Sequence, residues 1–378
     1  MKKQASKFFS LALLAISLTS NAQTNQVSEK QIADINNLIE DLSNKDAFSG
    51  TVLIAKGDKI IYQKAVGLSN KEQNMKNNIE TKFNIGSMNK MFTGIAIAQL
   101  AEKNKLRYSD KITSYLPNLP KKIFGDITIE QLLTHSSGTG DFFRFPRFEQ
   151  IADTAKTITT YVNIGLEEPL LFKPGTKVSY SNYGYILLGA IIESVSKMSY
   201  YDYVRQNIFV IANMKNTDSY ERNKIHENFA IGYANPPQMP NETPKLNNRE
   251  NNTKILELKG NSAGGGYSTA VDFHKFSQAL LANKLITSKT LGIVTTGKVI
   301  LFPGMKERNL PEIKYGYGFG ESYKNNIRII GHTGGAPGVD AAMEIYPDLG
   351  YTVVVLSNYD RATMPIMKFI QDVITQNK

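Results

Sequence analysis

The sequence contains no cysteine and no tryptophan, and it has only 4 histidines among 378 residues. The absence of cysteine excludes disulfide bonds, thiolate nucleophiles, zinc–thiolate sites and lipid-modified cysteine. The histidines show neither H-E-x-x-H spacing nor another metal-binding pattern with acidic residues. We therefore expect chemistry that needs neither a metal nor a cofactor.

Long apolar runs are also missing beyond the N-terminus, where none reaches the about 18 residues of a membrane-spanning helix. Residues 1–22 instead have the three parts of a secretory signal peptide. These are a basic stretch, a short apolar run and a small-x-small cleavage site: Lys2, Lys3 and Lys7; Phe8–Leu18; and Ser20-Asn21-Ala22. We predict a signal peptide over 1–22, export to the periplasm or the medium, and no stable membrane insertion after cleavage.

The remaining composition is that of a globular protein, with 41% hydrophobic and 21% charged residues. The formal net charge of +10 is basic, which can indicate binding to nucleic acid. However, the sequence has no run of five or more lysines and arginines, and export would separate the protein from most nucleic acids. We therefore expect no nucleic-acid partner.

Hydrophobic periodicity predicts one mixed sheet built from both ends of the chain. Ser28–Ser43 has helical spacing, and two strand-like segments, Gly50–Ala55 and Ile60–Val66, flank a Gly-Asp turn. The C-terminal part reads as strands and a final helix: Tyr315–Ser322, Ile327–Gly331, Ala341–Tyr346, Tyr351–Ser357 and Ala362–Gln376. The middle of the chain is predicted to be a helical insertion that includes a proline-rich surface loop over Asn235–Asn252.

The first chemical signal is Ser87-Met88-Asn89-Lys90, an S-x-x-K sequence that opens an apolar helical stretch. A serine hydroxyl needs a base to become a nucleophile, and a desolvated lysine can be that base. Spacing i, i+3 on a helix places both side chains on one face, and the free N–H groups of a first turn favour negative charge. A second S-x-x-K, Ser194–Lys197, ends a helical stretch, so it lacks the free N–H groups of a first helical turn.

Two further signals follow along the chain. Tyr180-Ser181-Asn182 lies between a turn and a predicted helix, and a tyrosinate-like oxygen near a lysine ammonium can shuttle protons. His332-Thr333-Gly334-Gly335 follows the predicted strand Ile327–Gly331. Glycines after a strand let a substrate approach the backbone, and a bare N–H can donate into an oxyanion hole. Each signal alone is unspecific.

These three signals in this order resemble the penicillin-recognising serine hydrolases. More narrowly, they resemble the group of class C β-lactamases, D-Ala-D-Ala carboxypeptidases, D-aminopeptidases and related esterases. Supporting segments are Leu132–Gly138, Phe172–Thr176 and Gly264–Asp272. The resemblance implies an α/β (α+β) fold of the β-lactamase/transpeptidase type, with an antiparallel sheet flanked by helices and a mainly helical inserted subdomain. One hydrolase domain would cover 23–378, with its α/β part at about 23–86 and 300–378 and its helical part at about 87–299.

The resemblance also implies a role for each site residue. Ser87 would be the nucleophile that forms an acyl-enzyme, Lys90 would accept its proton, and Tyr180 would be the second acid/base. Asn182 would hold the substrate amide, and the backbone N–H groups of Ser87 and Gly335 would form the oxyanion hole. The remaining substrate-binding residues would be His332, Thr333 and Gly334.

One departure from the family pattern bears on the substrate. Class C β-lactamases typically carry a lysine at the place of His332, and a histidine is largely uncharged near neutral pH. We therefore expect an exported serine hydrolase of the D-amino-acid peptidase, carboxypeptidase or esterase type. Its partners would be small peptide, amide, ester or β-lactam substrates, including cell-wall peptides. The alternatives are a class C-like β-lactamase and a penicillin-binding or sensor protein that does not turn over.

Overall fold

The computed structural model describes residues 26–224, 226–235, 249–301 and 312–376. The predicted signal peptide and most of the predicted loop between 235 and 252 lie outside these ranges. Within them, no helix combines the length and apolar character needed to cross a membrane. The same ranges contain no group of three His, Asp or Glu side chains arranged to hold a metal ion.

The described residues form strands at both ends of the chain and mostly helices between them. The strands are β1 (Gly50–Lys56), β2 (Lys59–Val66), β3 (Leu68–Asn70), β4 (Met75–Lys76), β5 (Phe83–Asn84), β6 (Tyr233–Ala234), β7 (Glu250–Asn251), β8 (Tyr267–Ser268), β9 (Val299–Ile300), β10 (Lys314–Tyr315), β11 (Gly320–Lys324), β12 (Ile327–Ala336), β13 (Val339–Tyr346) and β14 (Tyr351–Ser357). The helices are α1 (Glu29–Asn44), α2 (Asn89–Glu102), α3 (Lys121–Phe124), α4 (Ile129–Leu133), α5 (Phe148–Ile151), α6 (Ile158–Ile164), α7 (Asn182–Ser196), α8 (Tyr200–Val204), α9 (Ala270–Leu281), α10 (Ser288–Thr295) and α11 (Met364–Gln376).

The main sheet has eight strands in the order β2-β1-β14-β13-β12-β11-β10-β9, and each neighbouring pair is antiparallel. Its centre joins the two ends of the chain, since β1 pairs with β14 from Gly50 opposite Ser357 to Lys56 opposite Tyr351. The predicted fold class is therefore confirmed: a large antiparallel sheet combined with helices. The domain boundaries near 86 and 300 stay a prediction.

The sheet separates two apolar cores because successive strand residues point to opposite faces. Val52 and Ile54 of β1 pack in one core with α1 and α11. Leu53 and Ala55 point into the larger core, which contains α2, α7 and α9. Helix α1 begins where the sequence predicted, because Ser28 caps it in a reciprocal capping box.

Two strands predicted near the C-terminus have other bounds in the structure, and both differences concern the site. The predicted strand Tyr315–Ser322 is broken by a turn over residues 316–319. In that turn Gly318 has a φ of +83°, and a Cβ there would lie 2.3 Å from the backbone oxygen of Lys90. The turn therefore packs on the first turn of α2. The predicted strand Ile327–Gly331 continues to Ala336, so His332–Gly335 lies inside β12 and not after it.

Candidate active site

Ser87 lies in a short 3₁₀ helix, Gly86–Met88, immediately before α2. Strand β12 packs directly against this turn. A Cβ on Gly86 would lie 2.8 Å from the backbone nitrogen of Gly335, and a Cβ on Gly334 would lie 2.0 Å from the Ile85 oxygen and 3.1 Å from the Ser87 nitrogen. Only glycine fits such an approach. The two predicted oxyanion donors, the N–H groups of Ser87 and Gly335, thus lie at one junction beside a half-buried Ser87 side chain.

Lys90 is fully buried on the first turn of α2, with three oxygens around its Nζ. Nζ lies 2.7 Å from Oδ1 of Asn182, 2.5 Å from the backbone oxygen of Ala263 and 3.3 Å from Oγ of Ser87. Burial lowers the pKa of Lys90 to about 7, although the nearby carboxylates of Asp141 and Glu257 act in the opposite direction. A substantial fraction of Lys90 is therefore a neutral amine at neutral pH.

The neutral form of Lys90 has a defined orientation. A neutral amine has two N–H donors and one lone pair. The amide oxygen of Asn182 and the carbonyl of Ala263 can only accept hydrogen bonds, so they take both N–H groups. The lone pair is then left for the hydroxyl of Ser87. This arrangement lets Lys90 accept the proton that Ser87 must lose.

Tyr180 lies beside the same pair. The Nζ atom of Lys90 is 4.7 Å from the centre of the Tyr180 ring, and the side chain of Ser87 is hydrogen-bonded to Tyr180. Desolvation raises the pKa of Tyr180, and the bond to Ser87 only partly offsets this. Tyr180 is therefore a protonated phenol at neutral pH, whereas the sequence suggested a tyrosinate-like oxygen. A protonated phenol can give its proton to a leaving group.

The position of Tyr180 depends on His135, whose ring centre is 4.4 Å from the centre of the Tyr180 ring. Nδ1 of His135 accepts a hydrogen bond of 3.1 Å from the backbone N–H of Ser181. His135 is fully buried with a φ of +56°, and burial holds its pKa well below the ordinary value. It therefore remains neutral and orients the loop that carries Tyr180.

Asn182 is the first residue of α7, which Ser181 caps by accepting from the N–H of Gly184 at 2.9 Å. Its amide oxygen accepts from Lys90, and its Nδ2 donates to Oδ2 of Asp141 at 2.9 Å. One N–H of this amide is left for a substrate. Asp141 was not found from the sequence, because no local pattern marks a residue that acts through an amide on another helix.

A second carboxylate, Glu257, acts electrostatically on Lys90. Its pKa is raised mainly by burial and also by Asp141, while Lys90 and Arg222 lower it. Asp141 and Glu257 therefore act electrostatically on each other and on Lys90. Glu257 lies between β7 and β8, ahead of the segment Gly264–Asp272, and no local motif marks it in the sequence.

His332 lies on β12 with both ring nitrogens occupied. Nε2 is 2.8 Å from the hydroxyl of Tyr315, and Nδ1 is 2.5 Å from the backbone oxygen of Thr333. Desolvation, and then the charge of Lys90, lower the pKa of His332. Thr333 and Gly335 are exposed and Gly334 is buried. Within the described residues, β11 pairs with β12 only as far as Gly331, which leaves an edge beyond it that an extended substrate can bind.

The comparison with known proteins agrees with this geometry. A model of the Beta-lactamase family matches residues 35–368. Penicillin-binding protein 4* of Bacillus subtilis (strain 168) is 32% identical over 336 residues, which cover 86% of this chain and 71% of that protein. Protein flp of Staphylococcus aureus (strain MW2) is 30% identical over 233 residues, which cover 60% of this chain and 44% of that longer protein.

Solved structures share the fold along most of both chains. The penicillin binding protein from Bacillus halodurans superposes with a TM-score of 0.77 at 27% identity, over 89% of this chain and 98% of that chain. The D-amino acid amidase from Ochrobactrum anthropi SV3, solved with D-phenylalanine, has a TM-score of 0.76 at 24% identity, over 91% and 100% of the two chains. The resemblance inferred from the motifs is thus confirmed, and the chain belongs to the β-lactamase family of serine hydrolases, together with the penicillin-binding proteins.

Proposed function

We propose that this protein cleaves amide bonds through an acyl-enzyme on Ser87. The observation that carries the proposal is the position of Lys90. Its Nζ is buried 3.3 Å from the Ser87 hydroxyl, with two carbonyl-type acceptors on its other side. Burial lowers the pKa of this lysine to about 7, which suits a general base near neutral pH.

In the first half-reaction, Oγ of Ser87 attacks the substrate carbonyl carbon while its proton passes to Nζ of Lys90. The carbonyl oxygen becomes an oxyanion and accepts from the N–H groups of Ser87 and Gly335. The C–N bond then breaks. Tyr180 gives its phenolic proton to the leaving nitrogen and is reprotonated by Lys90. In the second half-reaction, water attacks the ester and loses a proton to the same relay, which releases the acid and restores Ser87.

The charges of the cleft favour substrates with a free amino group next to the reacting carbonyl. Asp141 and Glu257 supply negative charge near Lys90, and both nitrogens of His332 are already occupied. An ammonium group would gain from this environment, whereas a carboxylate would not. We therefore place D-amino-acid amides and the free N-termini of short peptides first. This agrees with the fold shared with the D-amino acid amidase.

The second candidate is a penicillin-binding peptidase that acts on cell-wall peptides. It is favoured by the 32% identity to penicillin-binding protein 4*. A sensor protein that is acylated on Ser87 without turnover is a variant of this second candidate. Export by residues 1–22 is part of the proposal for either candidate and rests on the sequence alone.

The test begins with covalent labelling by a fluorophosphonate, read as the intact mass of the purified protein. We expect one adduct on the wild type and none on Ser87→Ala. Ser194→Ala is the matched control, because Ser194 belongs to the second S-x-x-K and only donates to the Tyr115 oxygen. Lys90→Ala should slow labelling by more than tenfold, about 1.4 kcal/mol of barrier, while Lys197→Ala should not. An adduct on Ser87→Ala would refute the assignment of the nucleophile.

Turnover then separates the two candidates. Ammonia release from D-phenylalanine amide, compared with its N-acetyl derivative, tests the preference for a free amine. We expect the wild type to favour the free amine, and the double variant Asp141→Asn/Glu257→Gln to lose most of that preference. Release of D-alanine from D-Ala-D-Ala peptides without amidase activity would instead favour the cell-wall peptidase. Labelling without turnover of either substrate would indicate a sensor.

A further inference from the structure

We propose that Tyr315 is a positioning residue that holds His332 as a neutral imidazole protonated on Nδ1, and that this ring makes the cleft favour acyl donors without a carboxylate. The first half concerns Tyr315 and His332 alone. The second half rests on the proposed function, because it concerns donors that react with Ser87.

The contact between the two residues is direct and partly buried. Tyr315 is 2% exposed, and its hydroxyl lies 2.8 Å from Nε2 of His332. The two rings meet edge to face, with centres 5.6 Å apart and an interplanar angle of 79°. On its other side, the Tyr315 ring packs on His135 with a centre-to-centre distance of 4.9 Å. Tyr315 therefore reaches His332 from a fixed position between the two histidines.

The position of the protons follows from the partners of His332. The backbone oxygen of Thr333, 2.5 Å from Nδ1, can only accept, so Nδ1 carries a proton. A neutral imidazole has one such proton, so Nε2 is the acceptor and the Tyr315 hydroxyl is the donor. The oxygen of Tyr185 is a second acceptor within reach of Tyr315. An imidazole nitrogen is the stronger base, and it takes the proton.

The surrounding charges keep the ring neutral. The titratable groups that act on His332 are Lys90 on α2, Tyr315 on β10 and His135 after α4. Burial and the charge of Lys90 lower the pKa of His332. A hydrogen bond donated to Nε2 acts in the same direction, because it stabilises the neutral form. Removal of the Tyr315 hydroxyl should therefore raise the pKa of His332.

The location of His332 makes its neutral state relevant to substrate specificity. His332 comes directly before Thr333 and Gly334 in β12. This part of β12 has no pairing partner in β11, and it packs against the turn that carries Ser87. An acyl donor bound along this edge would meet a neutral ring, and it would experience the negative charge that Asp141 and Glu257 supply near Lys90. A carboxylate on the donor would then find repulsion without compensation from His332.

The first experiment reads the imidazole nitrogens by ¹⁵N NMR, with the His332 signals assigned by their loss in His332→Asn. In the wild type we expect a protonated Nδ1, a hydrogen-bonded unprotonated Nε2 and no titration between pH 5 and 8. In Tyr315→Phe, Nε2 should lose its hydrogen bond and the pKa of His332 should rise. Tyr323→Phe is the control, because Tyr323 lies 57% exposed on β11. A wild-type His332 that is protonated on Nε2, or that titrates like the Tyr315→Phe form, would overturn the proposal.

The second experiment compares penicillin G with its methyl ester, which differ in the carboxylate alone. The rate of adduct formation on Ser87 is measured by intact mass at pH 5.5 and 8, or as protection against the fluorophosphonate if neither adduct accumulates. We expect the wild type to favour the ester at both pH values. The ratio of the rate with penicillin G to the rate with its methyl ester should increase about tenfold in Tyr315→Phe at pH 5.5. The same increase is expected in His332→Lys at both pH values. An unchanged ratio in both variants would refute the specificity. Absence of fluorophosphonate labelling would refute the proposed function, and the NMR result would still decide the role of Tyr315.

Discussion

Asn182 and Lys90 are joined by a hydrogen bond of 2.7 Å although they lie 92 positions apart in the sequence. The bond connects the first residue of α7 to the first turn of α2. Together with the Ala263 oxygen, it occupies both N–H groups that a neutral Lys90 has. Asn182 therefore determines which side of the amine faces Ser87, in addition to the contact with a substrate amide that we propose for it.

The pH dependence of acylation should report the pKa of Lys90. Because the pKa is lowered to about 7, Lys90 is protonated and inactive as a base well below that pH, and neutral above it. The rate of fluorophosphonate labelling should rise about tenfold per pH unit below pH 7 and level off above it. Labelling reactions at pH values between 5 and 10, quenched at intervals and analysed by intact mass, give this profile. A rise that continues to pH 10 would mean that Lys90 keeps an ordinary lysine pKa.

Tyr180→Phe should separate amide cleavage from labelling. An amide nitrogen must receive a proton to leave, whereas the fluoride of a fluorophosphonate leaves without one. We expect kcat/KM for D-phenylalanine amide to fall by about 10²–10⁴-fold, the usual contribution of a general acid, and the labelling rate to fall much less. Steady-state ammonia release and intact mass provide the two readouts.

One result for Tyr180→Phe would contradict the role of Tyr180 as the acid that protonates the leaving nitrogen. Equal losses of labelling and amide turnover would mean that the hydroxyl supports Ser87 itself, through the hydrogen bond between the two side chains. The exposed Tyr323 on β11 supplies the control substitution to phenylalanine.

Local patterns were sufficient to predict the parts of the fold and site that local rules determine. Spacing i, i+3 placed Ser87 and Lys90 on one helical face, and Oγ of Ser87 lies 3.3 Å from Nζ of Lys90 in the structure. Alternation and turn residues predicted β14 with the ends that the structure has, Tyr351–Ser357. Helical spacing placed the start of α1 at Ser28, which caps the helix in the structure. In each case the interacting groups are close in sequence.

The remainder of the site depends on contacts between distant segments. Asp141 acts on Lys90 through Asn182, and no pattern near Asp141 reveals this. The turn of residues 316–319 breaks a predicted strand because Gly318 must approach the Lys90 oxygen. His332 belongs to a strand and not to the following loop because β13 supplies pairing partners as far as Ala336. Tertiary contacts of this kind override local propensity.

Asp141→Asn should make Lys90 a weaker base and shift its titration. The carboxylate of Asp141 raises the pKa of Lys90, so its neutralisation should lower that pKa. The hydrogen bond from Asn182 survives, because an asparagine oxygen also accepts. The midpoint of the labelling profile should move to lower pH, by up to about 1 unit or ~1.4 kcal/mol. Asp126→Asn is the control, since the Asp126 side chain is 87% exposed. A midpoint that stays or moves upward would show that Asp141 does not act on the base.

Gly334→Ala should damage both the fold and the oxyanion junction. A Cβ at this position would lie 2.0 Å from the Ile85 oxygen and 3.1 Å from the Ser87 nitrogen, so β12 and the Ser87 turn must separate. We expect the free energy of unfolding to fall by about 1–3 kcal/mol, as in other overpacked sites, and the labelling rate to fall with it.

Gly292→Ala is the matched control for Gly334→Ala, because a Cβ on Gly292 would have nothing within 4 Å. Gly292 lies inside α10, where alanine is the better helix former by about 1 kcal/mol, so this variant should be at least as stable as the wild type. Thermal unfolding and labelling of the two variants in parallel separate a general effect of the added methyl group from the contact with Ser87. Equal stability and equal labelling for both variants would mean that β12 does not hold the turn of Ser87, and the oxyanion donors would then have to be sought elsewhere.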